Sequence, residues 1–126
     1  MDLTKSELEV MDVLWRAGRP LSTSEILLMS ENKTWKDSYI HIITKSLLEK
    51  KAIVEAGRVR TGKTFGRLFS PKISCEEYYA KNVFNGGKER LPLLFSALVR
   101  SEDLSPELIS QLEEMLEKRK KELEQE

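Results

Sequence analysis

The chain has 126 residues, 40% hydrophobic and 33% charged, and its 21 basic and 21 acidic side chains give a formal net charge of zero. That is one modest domain, or a small domain with an appendage, with enough apolar material for a core. A lone cysteine excludes an internal disulfide or a cysteine-cluster metal site, a lone histidine excludes a histidine triad, and no apolar run approaches the ~20 residues of a membrane helix.

The start, Met1-Asp2-Leu3-Thr4, lacks the basic and apolar regions of a signal peptide, so a cytoplasmic protein without membrane insertion is expected. Thr4-Lys5-Ser6-Glu7 reads as a capping box in which hydroxyl and carboxylate satisfy each other's backbone amides. Leu8, Met11, Leu14 and Trp15 follow at helical spacing, and Gly18 is placed to end that helix in a left-handed conformation. Arg19-Pro20-Leu21 is too short for a helix and suits a small third strand beside a later hairpin. Ser22-Thr23-Ser24-Glu25 is a second capping box, opening a helix to about Met29 with Ile26, Leu27 and Met29 available for burial. Ser30 to Thr34 is polar and turn-like.

Asp37 to Lys50 predicts a third helix, with Asp37 as its N-cap and Ile40, Ile43, Leu47 and Leu48 on the inner face. Its outer face carries Ser38, His41, Ile42, Lys45, Ser46 and Glu49. Ile53–Arg60 and Thr64–Ser70 then read as two strands, with turn chemistry in Thr61-Gly62-Lys63. This hairpin holds Arg58, Arg60, Lys63 and Arg67 and no acid after Glu55. Three short helices followed by a hairpin is the order of a winged helix-turn-helix domain, in which the third helix enters the major groove.

Beyond Pro71 the composition changes. Ser74-Cys75-Glu76-Glu77 is a third capping box, and its helix carries Tyr78, Tyr79, Val83 and Phe84 to a stop at Asn85-Gly86-Gly87. Cys75 lies in the first turn, where a thiolate can be favoured; with no basic neighbour closely before it, it reads as a packing residue. Glu89 to Val99 is a further helix, started or interrupted by Pro92 and apolar on more than one side. Ser105-Pro106 opens the last helix, with Leu108, Ile109, Leu112, Met115, Leu116 and Leu123 inside and Lys118 to Lys121 outside. Three helices of this size bury too little surface alone, and a two-fold partner is the commonest remedy. The competing arrangement folds them back on the same subunit. The expected fold is mainly α (α+β): a winged-helix DNA-binding domain over 1–72 and a three-helix dimerisation region over 73–126, using Tyr79, Val83, Leu91, Leu94, Phe95, Leu98, Ile109, Leu112 and Leu116.

Charge follows the same division. From Ser30 to Lys72 there are ten Lys or Arg against four Asp or Glu, a balance of +6; from Ile73 onward eight basic face twelve acidic residues, a balance of −4. A basic face joined to an acidic appendage suits a nucleic-acid partner despite overall neutrality. Phosphate contacts are expected from Lys36, Lys45, Arg58, Arg60, Lys63 and Arg67, and base contacts from Ser38, Tyr39, His41, Ile42 and Ser46, with Ile42 suited to a thymine methyl and His41 to a purine acceptor. There is no glycine-rich phosphate loop, no nucleophile with a partnered base and no carboxylate pair beside the histidine, so no enzyme, cofactor or metal is expected. The alternative is a winged helix that binds a protein rather than DNA.

Leu8-Glu9-Val10-Met11-Asp12-Val13-Leu14-Trp15, Trp35, Leu47-Leu48-Glu49-Lys50, Glu76-Glu77-Tyr78, Gly86-Gly87 and Ser101-Glu102-Asp103-Leu104-Ser105 together resemble the penicillinase-repressor and methicillin-resistance-repressor family over nearly the whole chain. The resemblance implies a dimeric winged-helix repressor on a palindromic double-stranded operator. In the antibiotic-resistance branch it further implies a membrane sensor and a regulatory protease that cuts the dimerisation region. The chain departs from the family in places. Lys36 stands where Ser or Thr usually follows the tryptophan, Ile42 and Ser46 stand where Thr and Arg are usual, and Lys51 replaces a helix-ending glycine. Ala97-Leu98 stands where the resistance branch has Asn-Phe, and the Cys-x-Cys elements of the copper-responsive branch are missing.

Overall fold

Thr4 and Ser22 open two helices by the same device. The hydroxyl of Thr4 accepts from the Glu7 amide at 3.2 Å while the Glu7 carboxylate accepts from the Thr4 amide at 2.8 Å, and Ser22 and Glu25 repeat the exchange at 3.2 and 3.1 Å. These caps start α1 (Lys5–Ala17) and α2 (Thr23–Met29). Gly18 ends α1 at φ +66°, in the left-handed conformation that a Cβ would oppose, and its amide bonds Leu14 O at 3.3 Å. The computed structural model describes residues 1–62, 64–85 and 87–125, and the chain forms two compact units, Met1–Lys81 and Asn82–Glu126.

In the first unit, α1 contributes more to the core than the Leu8-Met11-Leu14-Trp15 stripe alone, because Val10 and Val13 are also buried. Ile26 from α2 and Ile40, Ile43 and Leu47 from the third helix close on them. That third helix differs at its start from the expected one. Asp37–Tyr39 is one turn of 3-10 helix, and α3 proper runs Ile40–Glu49. Asp37 is not the N-cap: Lys36 occupies that position without a side-chain bond, and the Asp37 carboxylate is held by Lys33 Nζ at 2.6 Å. At the other end, Lys51 takes φ +63°. Its amide reaches Leu48 O at 3.0 Å, and the Ala52 amide reaches Leu47 O at 2.9 Å. This is a Schellman closure made without the usual glycine, sealed by the buried pair Leu47 and Ala52.

β2 (Ile53–Thr61) and β3 (Thr64–Pro71) form the hairpin, and the two residues of β1 (Leu21–Ser22) add to β3, giving an antiparallel sheet in the order β1-β3-β2. The third strand suggested by Arg19-Pro20-Leu21 is therefore present but sits at Leu21–Ser22, sharing only Leu21 with that segment. The β2–β3 register shifts between Glu55 and Arg58, where Gly57 has φ +128°. Such a bulge turns the outer hairpin away from the body of the sheet. Phe69 and Ile53 anchor its inner end in the core.

α4 (Cys75–Asn85) begins in the first unit. Trp15 Nε1 donates to Ile73 O at 2.9 Å, and the rings of Trp15, Tyr78 and Tyr79 lie 5.3–6.3 Å apart, fixing the start of α4 to α1. Its cap is half of the expected box: Ser74 Oγ accepts from the Glu77 amide, but the Glu77 carboxylate lies against the Ser74 hydroxyl rather than its amide. In the second unit a 3-10 turn (Lys88–Arg90) leads into α5 (Leu91–Val99), with Pro92 in its first turn, and Ser105 caps α6 (Pro106–Glu124). Among the described residues no helix is long and apolar enough to cross a membrane.

Candidate nucleic-acid interface

The residues of α3 that point away from the core are His41, Ile42, Lys45 and Glu49, all exposed, with Lys36, Ser38 and Tyr39 exposed just before them. Ile42, 63% exposed, is a β-branched apolar side chain left mostly in contact with solvent. Trp35 fixes the approach to this helix: it packs partly buried against the core, with the Lys33 ammonium 5.5 Å from its ring centre. Burial thus sorts the third helix as its periodicity implied, with one exception.

The exception is Ser46. It is half-buried, and its hydroxyl donates to Glu7 Oε2 at 2.7 Å. Lys50 comes from the same helix to Glu7 Oε1 at 2.6 Å and also donates to Asp2 O at 2.9 Å. Burial alone pushes the Glu7 carboxyl upward; the Lys50 ammonium, the Thr4 amide and the Ser46 and Thr4 hydroxyls outweigh it and bring it from 4.5 to about 2. One buried carboxylate therefore caps α1 and clamps α3 at once. A buried anion is tolerable because each oxygen has a charge-assisted or hydroxyl donor. Neither Glu7 nor Lys50 stands out as functional in sequence, since Glu7 already had a local role in the capping box.

The hairpin supplies the cations. Arg58, Arg60 and Arg67 are exposed, while Lys63 lies outside the described residues. Register places Arg58 opposite Arg67 and Arg60 opposite Phe65. Directly opposed residues share a face, as do alternate ones along a strand, so all four side chains lie on one face of the wing. Glu55 organises the inner part of this face, holding Arg58 Nε at 3.3 Å and Arg67 Nη1 at 3.9 Å. The Arg67 guanidinium also lies 5.2 Å from the Phe69 ring. The partnered Glu55 is a second residue that sequence reading passed over, although the bulge that lets it reach both arginines is signalled by Gly57.

The second unit combines a charged exterior with one apolar groove. Phe95, Leu98, Leu108, Ile109, Leu112 and Leu116 line a groove of about 470 Å³ between α5 and α6. Leu94 is exposed beside it, and Val83 and Leu91 are half-buried. Tyr79 is exposed but belongs to the first unit, against Trp15 and Tyr78. Cys75 is half-buried, and burial together with Glu76 and Asp12 pushes its thiol up, so the first turn of α4 does not activate it.

Three helices, a third helix with an exposed polar face and a two-stranded wing define the first unit as a winged helix-turn-helix domain. The chain belongs to the penicillinase repressor family, which matches residues 3–118 and is a family of DNA-binding transcriptional repressors. It is 26% identical to the penicillinase repressor of Bacillus licheniformis, over 94% of this chain and 91% of that protein. It is also 31% identical to an uncharacterised 16.5 kDa protein from the ptsI 3′ region of Latilactobacillus sakei, over 91% of this chain and 78% of that one.

Proposed function

We propose that two copies of this chain, joined through residues of the second unit, occupy a palindromic operator and repress transcription from it. The observation that carries the reading is the pairing, within the first unit, of an exposed face of the 3-10 turn and α3 (Ser38, Tyr39, His41, Ile42, Lys45) with a wing face bearing Arg58, Arg60 and Arg67. The α3 side chains are of the kinds that read base edges, and the arginines, with Lys36 and Lys63, are of the kind that neutralise phosphates. Ser46 enters this reading as the residue that holds α3 to Glu7, with lone pairs left to accept from a base.

The second copy is argued from the apolar groove between α5 and α6. Exposing Phe95, Leu98, Ile109, Leu112 and Leu116 together to water is unfavourable by about 25 cal/mol per Å², and a symmetric partner offers the same apolar surface in return. Release of repression by a protease under a membrane sensor would require a change in α5. Ala97-Leu98 lies inside α5, and a protease needs its substrate extended, so cleavage there would first require local unwinding.

The test is retention on duplex DNA across a salt series. Operator binding predicts a steep linear fall of log affinity with log salt, with a slope that shrinks by about two in Arg60→Glu with Arg67→Glu. An unchanged affinity in that double variant would favour a protein partner instead.

A further inference from the structure

Phe65 is the largest exposed apolar side chain of the first unit's wing, 67% exposed. Arg60 stands directly opposite it, Arg67 two residues along the same strand, and Arg58 beyond, all on one face. That face continues inward to Phe69, which alternates with Phe65 and Arg67 along β3 and is buried against the helices. The wing therefore overhangs the body of the domain with the same face that the helices cover further in. Phe65 lies nearer the turn than Arg67, at the outer end of the cationic patch.

A single exposed apolar residue ordinarily needs no explanation. Here its immediate neighbours decide what surface suits it. Arginine and aromatic side chains also meet at protein hot spots, but here three guanidinium groups against the single Glu55 carboxylate leave the face around the ring with excess positive charge, which suits a polyanion. An aromatic ring flanked by guanidinium groups fits a surface that is anionic at its rims and apolar between them. The minor groove of duplex DNA is such a surface: about 6 Å wide, walled by phosphates and floored by sugar and base edges. It is too narrow for a two-stranded ribbon but open to one side chain at the ribbon's tip. Arginines favour it where it is narrow, and apolar wedges favour steps that open easily.

We propose that Phe65 enters the minor groove flanking each half-site, with Arg60 and Arg67 on the phosphates at its edges, so that the wing selects flanking sequence as well as adding affinity. This rests on the operator reading above and adds to it a specificity element that α3 does not supply.

The test uses full-length protein and a duplex enriched by the wild type from a pool of random sequence. That duplex is remade with flanks of A·T, I·C or G·C pairs. An I·C pair presents the minor groove of A·T and the major groove of G·C, so it separates the two grooves. The wild type is expected to bind A·T and I·C flanks alike and G·C flanks about tenfold more weakly, the size of one mismatched position. Phe65→Ala is expected to lose that discrimination while keeping the wild-type salt slope and thermal midpoint, because the side chain is exposed and uncharged. Wild-type affinity and flank preference in Phe65→Ala, or I·C flanks that behave like G·C, would overturn the inference and leave the operator reading standing. A wild type that enriches no duplex at all would overturn both.

Discussion

The Ser46 hydroxyl of α3 donates at 2.7 Å to the Glu7 carboxylate of α1, thirty-nine residues away in sequence. Lys50, one helical turn further, reaches the other oxygen of the same carboxylate at 2.6 Å. The orientation of the helix proposed to read the operator is thus set by one anion that begins the domain. Removing the Ser46 hydroxyl alone, in Ser46→Ala, is expected to lower stability by about 2 kcal/mol, the net worth of one hydrogen bond to a charged group. His41→Ala, on the exposed face, is expected to leave stability unchanged and relax base preference. Urea denaturation and competition binding on both variants separate the two roles.

Glu7 makes the domain sensitive to acid in a defined window. Its folded carboxyl lies at about 2, below the ordinary 4.5, so its contribution is complete above about 4.5 and is lost as pH falls toward 2. The shift corresponds to about 3 kcal/mol. Glu7→Gln is expected to lose about that much at pH 7 and to show a flatter acid limb between these values. Equal stability of variant and wild type at pH 7 would show that the ionised Glu7 carboxylate, with all its donors, gives no net stabilisation.

Lys51 closes α3 in a conformation that suits glycine, and its side chain is exposed. Lys51→Gly is expected to raise the unfolding free energy by about 1 kcal/mol, since the left-handed penalty removed slightly exceeds the added freedom of the unfolded chain. The gain is read from the urea midpoint at constant slope.

Ile109 and Leu112 lie on the groove between α5 and α6. Ile109→Glu with Leu112→Glu is expected to sediment as a single copy at micromolar concentration where the wild type sediments as two. Operator affinity is then expected to fall at least about tenfold, because two tethered half-site contacts become independent ones. A double variant that still pairs would move the interface elsewhere.

The raised thiol of Cys75 implies slow alkylation near neutrality. Iodoacetamide is expected to modify it more slowly than free cysteine at about pH 7, with the rate climbing only as pH passes the usual thiol range. Rapid labelling at neutrality would contradict the surroundings described for α4.

Local chemistry was legible in the sequence, and tertiary chemistry was not. Thr4, Gly18, Ser22 and Ser105 each act within four residues of themselves, so their patterns alone predicted three helix starts and one helix end. Asp37 misled because Lys33, one turn earlier, competes for its carboxylate and the backbone enters through a 3-10 turn. Val10 and Val13 escaped the first stripe because α1 is covered on more than one side, by α2, α3 and β3. At the candidate interface, α3 and the wing were legible from periodicity and charge. The Glu7 clamp was not, because it joins residues 39 and 43 positions apart that have no shared pattern. Nor was the sharing of one wing face by Arg58, Arg60, Phe65 and Arg67, which depends on the register beyond the bulge.

Glu55 gives the wing a resident counterion. Arg58 and Arg67 are already partly neutralised by a carboxylate that cannot diffuse away. When phosphates take over those guanidinium groups, Glu55 stays close by and repels the backbone, so fewer sodium ions leave the duplex than three arginines would displace. The ionic-strength dependence of binding will therefore undercount the wing's contacts by up to one. Glu55→Gln should steepen it, trading selectivity among sites for a tighter grip on any duplex.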